Sequence, residues 1–237
     1  MARQIILDTE TTGINSKHHK IVEIGCVELI DRKPTGNNYH VYINPDMDME
    51  QEVIDIHGLT NEYLADKPRF HEIAQSFYEF IRGAELVIHN APFDIGFMDK
   101  EFSLLGKDSP GKTAEFCTVL DTLLMAREKH PGQKNSLDAL CKRYFVDNSM
   151  REKHGALLDA EILAEVYLAM TGGQRNLWGG KDTDSDQDGS GSEIQKLTNG
   201  MDLASYTLSD EEQQAHDKML QLLDKKSDGA IWHRYNS

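Results

Sequence analysis

The first 43 residues alternate between apolar runs and turn-forming residues in a pattern that predicts three β-strands. Residues 3–8, 21–30 and 39–43 are rich in β-branched, leucine and tyrosine side chains, and the second run partly alternates with polar residues, as half-buried strands do. Residues 31–36 (Asp-Arg-Lys-Pro-Thr-Gly) are of turn-forming types. Because short connections join the strands, we expect an antiparallel meander.

After residue 44 the pattern alternates between helical and extended segments. A loop or short helix is expected at 54–60, and apolar runs at 85–89 and 117–121 predict two further strands. Helices are predicted at about residues 70–81, 90–105, 122–128, 136–144 and 156–170. The last helix has one apolar stripe, formed by Leu158, Ile162, Leu163, Val166 and Tyr167. This order predicts an α/β fold with a mixed five-stranded sheet flanked by helices.

The composition changes near residues 171–173, which suggests three regions: 1–173, 174–200 and 201–237. Residues 181–193 contain five acids and one lysine among glycines and serines, which is typical of a flexible, solvated linker. A capping box at 209–212 then predicts a C-terminal helix to about residue 226. An isolated helix of this length is marginal in water, so its apolar face packs either on the first region or on a partner.

Charge and cysteine content exclude several classes of protein. A net charge of −15 argues against gripping nucleic acid by a broad basic surface, but not against binding a few nucleotides through metal ions. Cys26, Cys117 and Cys141 lie far apart among apolar neighbours, so we expect buried thiols in a reducing compartment. The start of the chain has no signal-peptide pattern, and no run is long enough to span a membrane. We therefore expect a cytoplasmic protein.

The first strand ends in two acids, Asp8 and Glu10, which are two residues apart. Side chains at this spacing point to the same face of a strand. Neighbouring carboxylates repel each other unless a proton or a cation lies between them, and divalent metals prefer such oxygen ligands. The pair therefore indicates a metal site, unless it is only an acidic strand end that faces solvent.

Further acids extend this candidate site. Asp94 begins a helix directly after a strand, and Asp159 lies on the last long helix of the first region, five positions after His154. Four carboxylates on these elements could hold two metal ions that act together on a phosphodiester. A neutral histidine beside them could accept a proton from the attacking water.

Three motifs in this chain resemble, in order and spacing, those of the DEDD 3′→5′ exonucleases, in the branch with histidine in the third motif. They are Asp8-Thr9-Glu10-Thr11, Asn90-x-x-Phe93-Asp94 and His154-x4-Asp159. Over about residues 1–173 the sequence is most similar to the proofreading exonucleases that accompany bacterial replicative polymerases. The resemblance implies a ribonuclease H-like exonuclease fold.

The resemblance also implies roles for individual residues. The expected ligands of two Mg²⁺ or Mn²⁺ ions are Asp8, Glu10, Asp94 and Asp159, and His154 is the expected general base. Residues expected to contact the terminal nucleotide are Thr11, Glu52 and His57, together with Asp8, Glu10 and Asp159. We expect His89 and Asn90 to support the site, and Phe93 to pack beneath Asp94.

The tail resembles the layout of the same family. Gln174, Leu177 and Trp178 are similar to the short motif that bacterial proteins place in the groove of the sliding clamp, although a linker with a stray tryptophan is the alternative. Met219, Leu223 and Trp232 would dock on the catalytic (alpha) subunit of the polymerase. The resemblance also implies, for some bacteria, a small third core subunit that binds the first region.

The implied function is a 3′→5′ DNA exonuclease that removes mismatched nucleotides, as monophosphates, from a single-stranded 3′ end of DNA. One alternative is an RNA-maturing or oligoribonucleotide-degrading exonuclease with the same chemistry, although such enzymes usually lack a long linker and a distal helix. The other is a non-catalytic adaptor between clamp and polymerase. The presence of all four acids and His154 argues against the adaptor.

Overall fold

Five strands form one mixed sheet, in the order β3-β2-β1-β4-β5, in the computed structural model of the chain. The strands are β1 (Arg3–Thr11), β2 (Ile21–Ile30), β3 (Lys33–Tyr42), β4 (Glu85–Ile88) and β5 (Thr118–Asp121). β1 and β3 each pair antiparallel with β2, whereas β4 pairs parallel with β1 and β5 pairs parallel with β4. The predicted meander and the mixed five-stranded sheet are confirmed.

The helices follow the predicted order. They are α1 (Gln51–His57), α2 (Asn61–Leu64), α3 (Phe70–Ile81), α4 (Ala91–Leu104), α5 (Thr122–Lys129), α6 (Leu137–Tyr144) and α7 (Ala156–Thr171), with 3₁₀ turns at Gly106–Asp108 and Thr113–Glu115. The bounds of α3 are those predicted, because its apolar periodicity is strong. The ends of the other four predicted helices differ by one residue at most.

The structure describes residues 2–151 and 153–172, together with residues 209, 210, 214 and 217–219. The chain divides into two units, residues 1–180 and 181–237, and the sheet belongs to the first. Met219 is helical and 60% exposed. The predicted clamp-binding residues Gln174, Leu177 and Trp178 lie outside the described residues, as do Leu223 and Trp232. No helix in the described ranges has both the length and the apolar character needed to cross a bilayer.

Two strand boundaries differ from the prediction by more than one residue. β3 begins at Lys33 rather than at residue 39, because the turn consists of Asp31 and Arg32 alone, with φ of 48° and 65°. Positive φ at both central residues is characteristic of the type I′ turn that joins tightly paired strands. Pro34 lies within β3, where it pairs opposite Leu29, and the strand tolerates it because β3 is at the sheet edge.

The other difference concerns β1, which continues to Thr11 instead of ending at residue 8. Asp8 and Glu10 therefore lie within the paired strand, opposite Gly25 and Glu23 of β2. Their backbone is fixed by the sheet rather than by a loop. This pairing gives the two carboxylates a rigid base.

The two faces of β1 carry separate apolar cores. Ile5 and Leu7 pack with residues of α3 and α4, whereas Ile6 packs with residues of α7. This follows from the two-residue period of a strand, and it places Asp8 and Glu10 on the α7 side. Cys26, Cys117 and Cys141 are buried free thiols, as expected.

The prediction of a single apolar stripe on α7 is wrong. One side of the helix, with Leu163 and Tyr167, packs on the sheet, and another, with Ile162 and Val166, packs on α6. The helix is therefore buried on two sides, between the sheet and another helix. A single sequence cannot separate these sides, because their apolar positions overlap along the helix.

Gly25 sets how closely α7 approaches the sheet. A Cβ atom at this position would overlap the backbone of Ala156 and Leu157, in the first turn of α7. Gly25 lies opposite Asp8 in the β1–β2 pairing. The missing side chain therefore allows the start of α7, including Asp159, to lie directly against this part of the sheet.

We expect Gly25→Ala to lower the free energy of unfolding by about 1–3 kcal/mol, because overpacking against backbone forces the helix away. Gly96→Ala, within α4, is the matched control. A Cβ atom at Gly96 would meet only the side chain of Ser16, at 3.7 Å, and alanine stabilises a helix by about 1 kcal/mol relative to glycine. Urea unfolding of both variants provides the measurement. Equal stability of the two would contradict the close approach of α7.

Candidate active site

An acidic cavity of about 670 Å³ opens where the carboxyl-terminal half of β1 meets the starts of α4 and α7. Its lining comes from five parts of the fold: β1, the β4–α4 junction, α5, the start of α6 and the segment from residue 151 to 159. Asp8, Glu10, Asp94, His154 and Asp159 all line it. The structure thus brings together the five residues predicted for metal binding and proton transfer.

Asp8 and Glu10 are half-buried and share the face of β1 that points to α7. Burial, followed by the charges of Asp94, Glu10 and Asp159, raises the pKa of Asp8 well above its usual value. Burial and the charges of Asp159 and Glu23 raise the pKa of Glu10 to about 8. Both carboxylates therefore need a nearby positive charge to remain ionised at neutral pH.

Asp94 lies in the first turn of α4 and is only 3% exposed. Burial raises its pKa to about 7, although Thr9 donates a hydrogen bond of 2.6 Å to its Oδ1 and partly offsets this effect. Asn90 precedes the helix in a left-handed conformation with φ of 70°, and its side chain makes no capping hydrogen bond. Its backbone N–H instead donates to Asp121.

Asp159 and His154 bring the third motif to the cavity. Asp159 is buried in the first turn of α7, whereas the His154 side chain is 49% exposed. His154 Nδ1 lies 3.4 Å from Asp159 Oδ2, and the backbone N–H of His154 donates to Ile56. Ligand atoms of Glu10, His154 and Asp159 all lie within 4.8 Å of one another. One ion could therefore contact groups from β1 and α7 together.

The donor set fits a divalent cation. Four carboxylates provide hard oxygen ligands, which Mg²⁺ and Mn²⁺ prefer, and three of them have raised pKa values because of burial and mutual repulsion. A bound cation would remove both the repulsion and the need for protons. Such a site could stabilise negative charge on a phosphodiester.

Of the residues predicted for nucleotide binding, Asp8, Glu10 and Asp159 line the cavity, whereas Thr11, Glu52 and His57 do not. Glu52 is exposed in the first turn of α1, and His57 is buried at the end of the same helix. Neither is among the residues that line the cavity. Thr11 is buried, and its hydroxyl donates to the carbonyl of Gly13 at 2.8 Å.

His89, Asn90 and Phe93 also line the cavity. His89 Nδ1 lies 3.0 Å from the hydroxyl of Thr122, and burial lowers the pKa of His89. The ring of Phe93 packs on Phe97 with centroids 5.0 Å apart. Phe93 thus packs on a neighbouring residue of α4, and part of its ring also faces the cavity.

Sequence reasoning missed several polar residues of the lining, above all Arg151 and Asp138. Arg151 contacts Asp159, His154 and Asp138 at once. It lies in the irregular segment between α6 and α7, where no periodicity indicates which way a side chain points. Its only sequence signal was its position three residues before His154.

The part of the chain that matches known proteins includes all the residues of the cavity. The exonuclease family model matches residues 5–167, which include every residue of the lining. The DNA polymerase III subunit epsilon of Escherichia coli (strain K12) is 52% identical over 238 residues, with 98% of each chain covered. That of Pasteurella multocida (strain Pm70) is 51% identical over 239 residues, with 98% of this chain and 94% of the relative covered.

Solved structures share the fold. Exonuclease X in complex with 5′ overhanging duplex DNA superposes with a TM-score of 0.56 at 28% identity, covering 71% of this chain and 91% of that chain. The Escherichia coli exonuclease I–single-stranded DNA complex gives a TM-score of 0.60 at 17% identity, covering 72% and 40%. The second likeness concerns the fold alone.

The raised pKa values predict that metal-free protein loses stability as the pH rises from about 4 to about 8. The folded state keeps protons on Glu10 and Asp94 up to pKa values of about 8 and 7, whereas the unfolded chain releases them near pH 4, so the folded state binds more protons in this window. Thermal unfolding in EDTA, at a series of pH values, provides the measurement.

Glu10→Gln is the control for this prediction, because glutamine has no proton to release and the fall in stability should be shallower. Mg²⁺ should raise the melting temperature of the wild type more at pH 8 than at pH 6. Parallel pH profiles of variant and wild type would show that Glu10 is not held protonated in the folded protein.

Proposed function

This chain belongs to the exonuclease family and, within it, to the epsilon subunits of DNA polymerase III, and we propose that its acidic cavity is the site that hydrolyses mismatched 3′ ends. The protein is a 3′→5′ exonuclease that proofreads for the replicative polymerase. The observation that carries the proposed site is the convergence of four carboxylates and His154 on one cavity.

The activity depends on divalent metal ions, as is general among these exonucleases. We assign Asp8, Glu10, Asp94 and Asp159 as the groups that would hold two Mg²⁺ or Mn²⁺ ions, which would supply positive charge at the scissile phosphate. The raised pKa values of three of these acids support the assignment. Thr9 would keep Asp94 oriented through its 2.6 Å hydrogen bond.

His154 is the proposed general base. Its half-exposed imidazole lies at the mouth of the cavity beside Asp159, where water can approach it. A neutral imidazole accepts a proton efficiently near neutral pH. His154 would take the proton of the attacking water, whose oxygen would bond to the scissile phosphorus. The bond from phosphorus to the 3′ oxygen of the preceding nucleotide would break, that oxygen would take a proton from solvent, and the terminal nucleotide would leave as a 5′-monophosphate.

His57 is the best supported of the proposed nucleotide contacts. It is 5% exposed, and its Nδ1 accepts a hydrogen bond of 3.0 Å from the backbone N–H of Leu59. Burial, Lys153 and His154 lower its pKa, so the ring is neutral and Nε2 carries the hydrogen. This buried Nε2 has no partner among the described residues, and a sugar or phosphate oxygen would satisfy it. For Thr11 and Glu52, a contact with the nucleotide is proposed from the resemblance alone.

Selection of mismatched ends needs no recognition of bases in this scheme. A mismatched terminus frays more readily, and in this scheme only a frayed strand places its last phosphodiester in the cavity. The net charge of −15 opposes general binding of DNA, so the polymerase core would present the substrate. This dependence supports a cytoplasmic location together with the replication machinery.

DNA and the polymerase core are the partners of this protein. We propose that residues 1–173 perform catalysis, that Gln174, Leu177 and Trp178 bind the sliding clamp, and that residues 201–237 bind the alpha subunit through Met219, Leu223 and Trp232. The exposure of Met219 is consistent with a docking role. A small third core subunit remains a proposed partner of the first region.

We expect purified protein with Mg²⁺ to shorten a 5′-labelled primer stepwise, faster from a mismatched than from a paired 3′ end. His154→Ala should reduce the rate by about 10²–10⁴-fold, the usual contribution of a general base, and Asp94→Asn by at least about 100-fold. Asp66→Asn, which removes an exposed acid paired with Lys67, is the matched control and should not change the rate. Gel electrophoresis of timed samples measures all three.

The same assay distinguishes the alternatives. Faster shortening of RNA than of DNA would favour an RNA-processing exonuclease. A folded protein that shortens neither would favour the adaptor. Near wild-type rates for Asp94→Asn would contradict the assignment of the cavity.

Two variants separate the proposed tail contacts. Truncation after residue 180 should abolish co-purification with the alpha subunit and preserve binding to the clamp, because the clamp motif remains. Leu177→Ala with Trp178→Ala should do the opposite, since both apolar anchors of that motif are removed. Gel filtration with each purified partner measures binding, and a truncated chain that still co-elutes with alpha would refute the assignment of the C-terminal segment.

A further inference from the structure

Arg151 reaches into the acidic cavity from the segment between α6 and α7, with 10% of its side chain exposed. Its guanidinium contacts three side chains. Nε and Nη2 donate to Asp159 Oδ1 and Oδ2 at 2.5 and 2.8 Å, Nη2 lies 2.9 Å from His154 Nδ1, and Nη1 donates to Asp138 Oδ1 at 2.8 Å. One cation thus engages both residues of the third motif.

The contact with Asp159 is the two-pronged arrangement in which a guanidinium binds a carboxylate most strongly. Both oxygens of Asp159 are engaged, and the carboxylate is only 4% exposed. A divalent ion that binds Asp159 needs an oxygen lone pair from the same carboxylate. Arg151 occupies one of the two lone pairs on each oxygen, and its positive charge repels an ion that approaches the other, so the two cations compete for the carboxylate.

The contact with His154 has a chemical consequence. A neutral imidazole has one lone pair and one N–H. When the Nη2 hydrogen of Arg151 occupies the lone pair of Nδ1 at 2.9 Å, the hydrogen of the ring must lie on Nε2. Neither nitrogen can then accept a proton from water. The arrangement therefore blocks His154 as a base while it occupies Asp159.

The contact with Asp138 provides a second acidic partner for the guanidinium when it separates from Asp159. Asp138 lies at the start of α6 and its side chain is 56% exposed, at the solvent side of the cavity. An ion pair with Asp138 can persist while Nε and Nη2 separate from Asp159. Movement of Arg151 toward Asp138 would thus keep its charge paired.

We infer that Arg151 is a latch. Without metal it is hydrogen-bonded to both Asp159 and His154, and a divalent cation that binds Asp159 displaces it. The lone pair of His154 Nδ1 is then free to accept a proton. The inference rests on the proposed function of the cavity. It explains how a cavity with this excess of buried acids stays folded before it binds metal. It also makes activation of the base dependent on the cation.

Titration calorimetry of the full chain with MnCl₂ tests the latch. Arg151→Gln removes the competing cation and should bind Mn²⁺ about tenfold more tightly than the wild type, because a charge-assisted pair no longer has to break. Arg69→Gln, which removes the same charge from an exposed pair with Asp46, is the matched control and should change affinity less than twofold. Arg151→Lys should lie between them, since lysine keeps the charge without the fork.

Equal or weaker Mn²⁺ binding by Arg151→Gln would overturn the latch and make Arg151 a fixed support of Asp159. No Mn²⁺ binding by the wild type would instead overturn the proposed function. A melting curve of each variant in EDTA checks that it is folded, and a folded Arg151→Gln is expected to melt below the wild type.

A second measurement uses the wild type alone. In ¹⁵N-histidine-labelled protein with EDTA, we expect His154 to carry its hydrogen on Nε2 and to accept a hydrogen bond at Nδ1. Saturation with diamagnetic Mg²⁺ should shift the Nδ1 resonance, which a His154→Asn variant assigns. An unchanged resonance at saturation would contradict release of His154.

Discussion

Repulsion among four carboxylates gathered at one end of a sheet is the constraint that the rest of this structure accommodates. Burial and neighbouring charge raise the pKa values of Asp8, Glu10 and Asp94. Such a cluster is stable only with protons, with cations, or with a guanidinium among the acids. Arg151 supplies the last of these, and the negative charge that it leaves uncompensated favours the binding of a divalent cation.

The fold holds the acids in place despite this repulsion. β1 pairs with β2 through Asp8 and Glu10 and with β4 over Gln4–Ile6. Its two faces pack on different helices, so the strand that carries both acids is held in place. Gly25 allows the first turn of α7 to lie against β2, with Asp159 in that turn. Repulsion at the site is therefore offset by apolar packing elsewhere, which is a common arrangement at functional sites.

The same electrostatics explain how the enzyme depends on its partners. A chain with a net charge of −15 is repelled by DNA unless metal ions or other proteins intervene. In the proposed scheme, hydrolysis occurs where a frayed strand, a divalent ion and the acidic cavity meet, and the polymerase core presents the strand. Weak general binding of DNA would suit this scheme, because paired ends would then be left intact.

The sequence alone determined the α/β order, the bounds of α3 and the shared face of Asp8 and Glu10, because strand and helix periodicities are local properties. Motif spacing also identified Asp94, His154 and Asp159 as members of one site. The two buried sides of α7 and the contacts of Arg151 were decided only by the tertiary structure. Side chains in irregular segments follow no period, and their direction depends on which distant charges the fold brings near them.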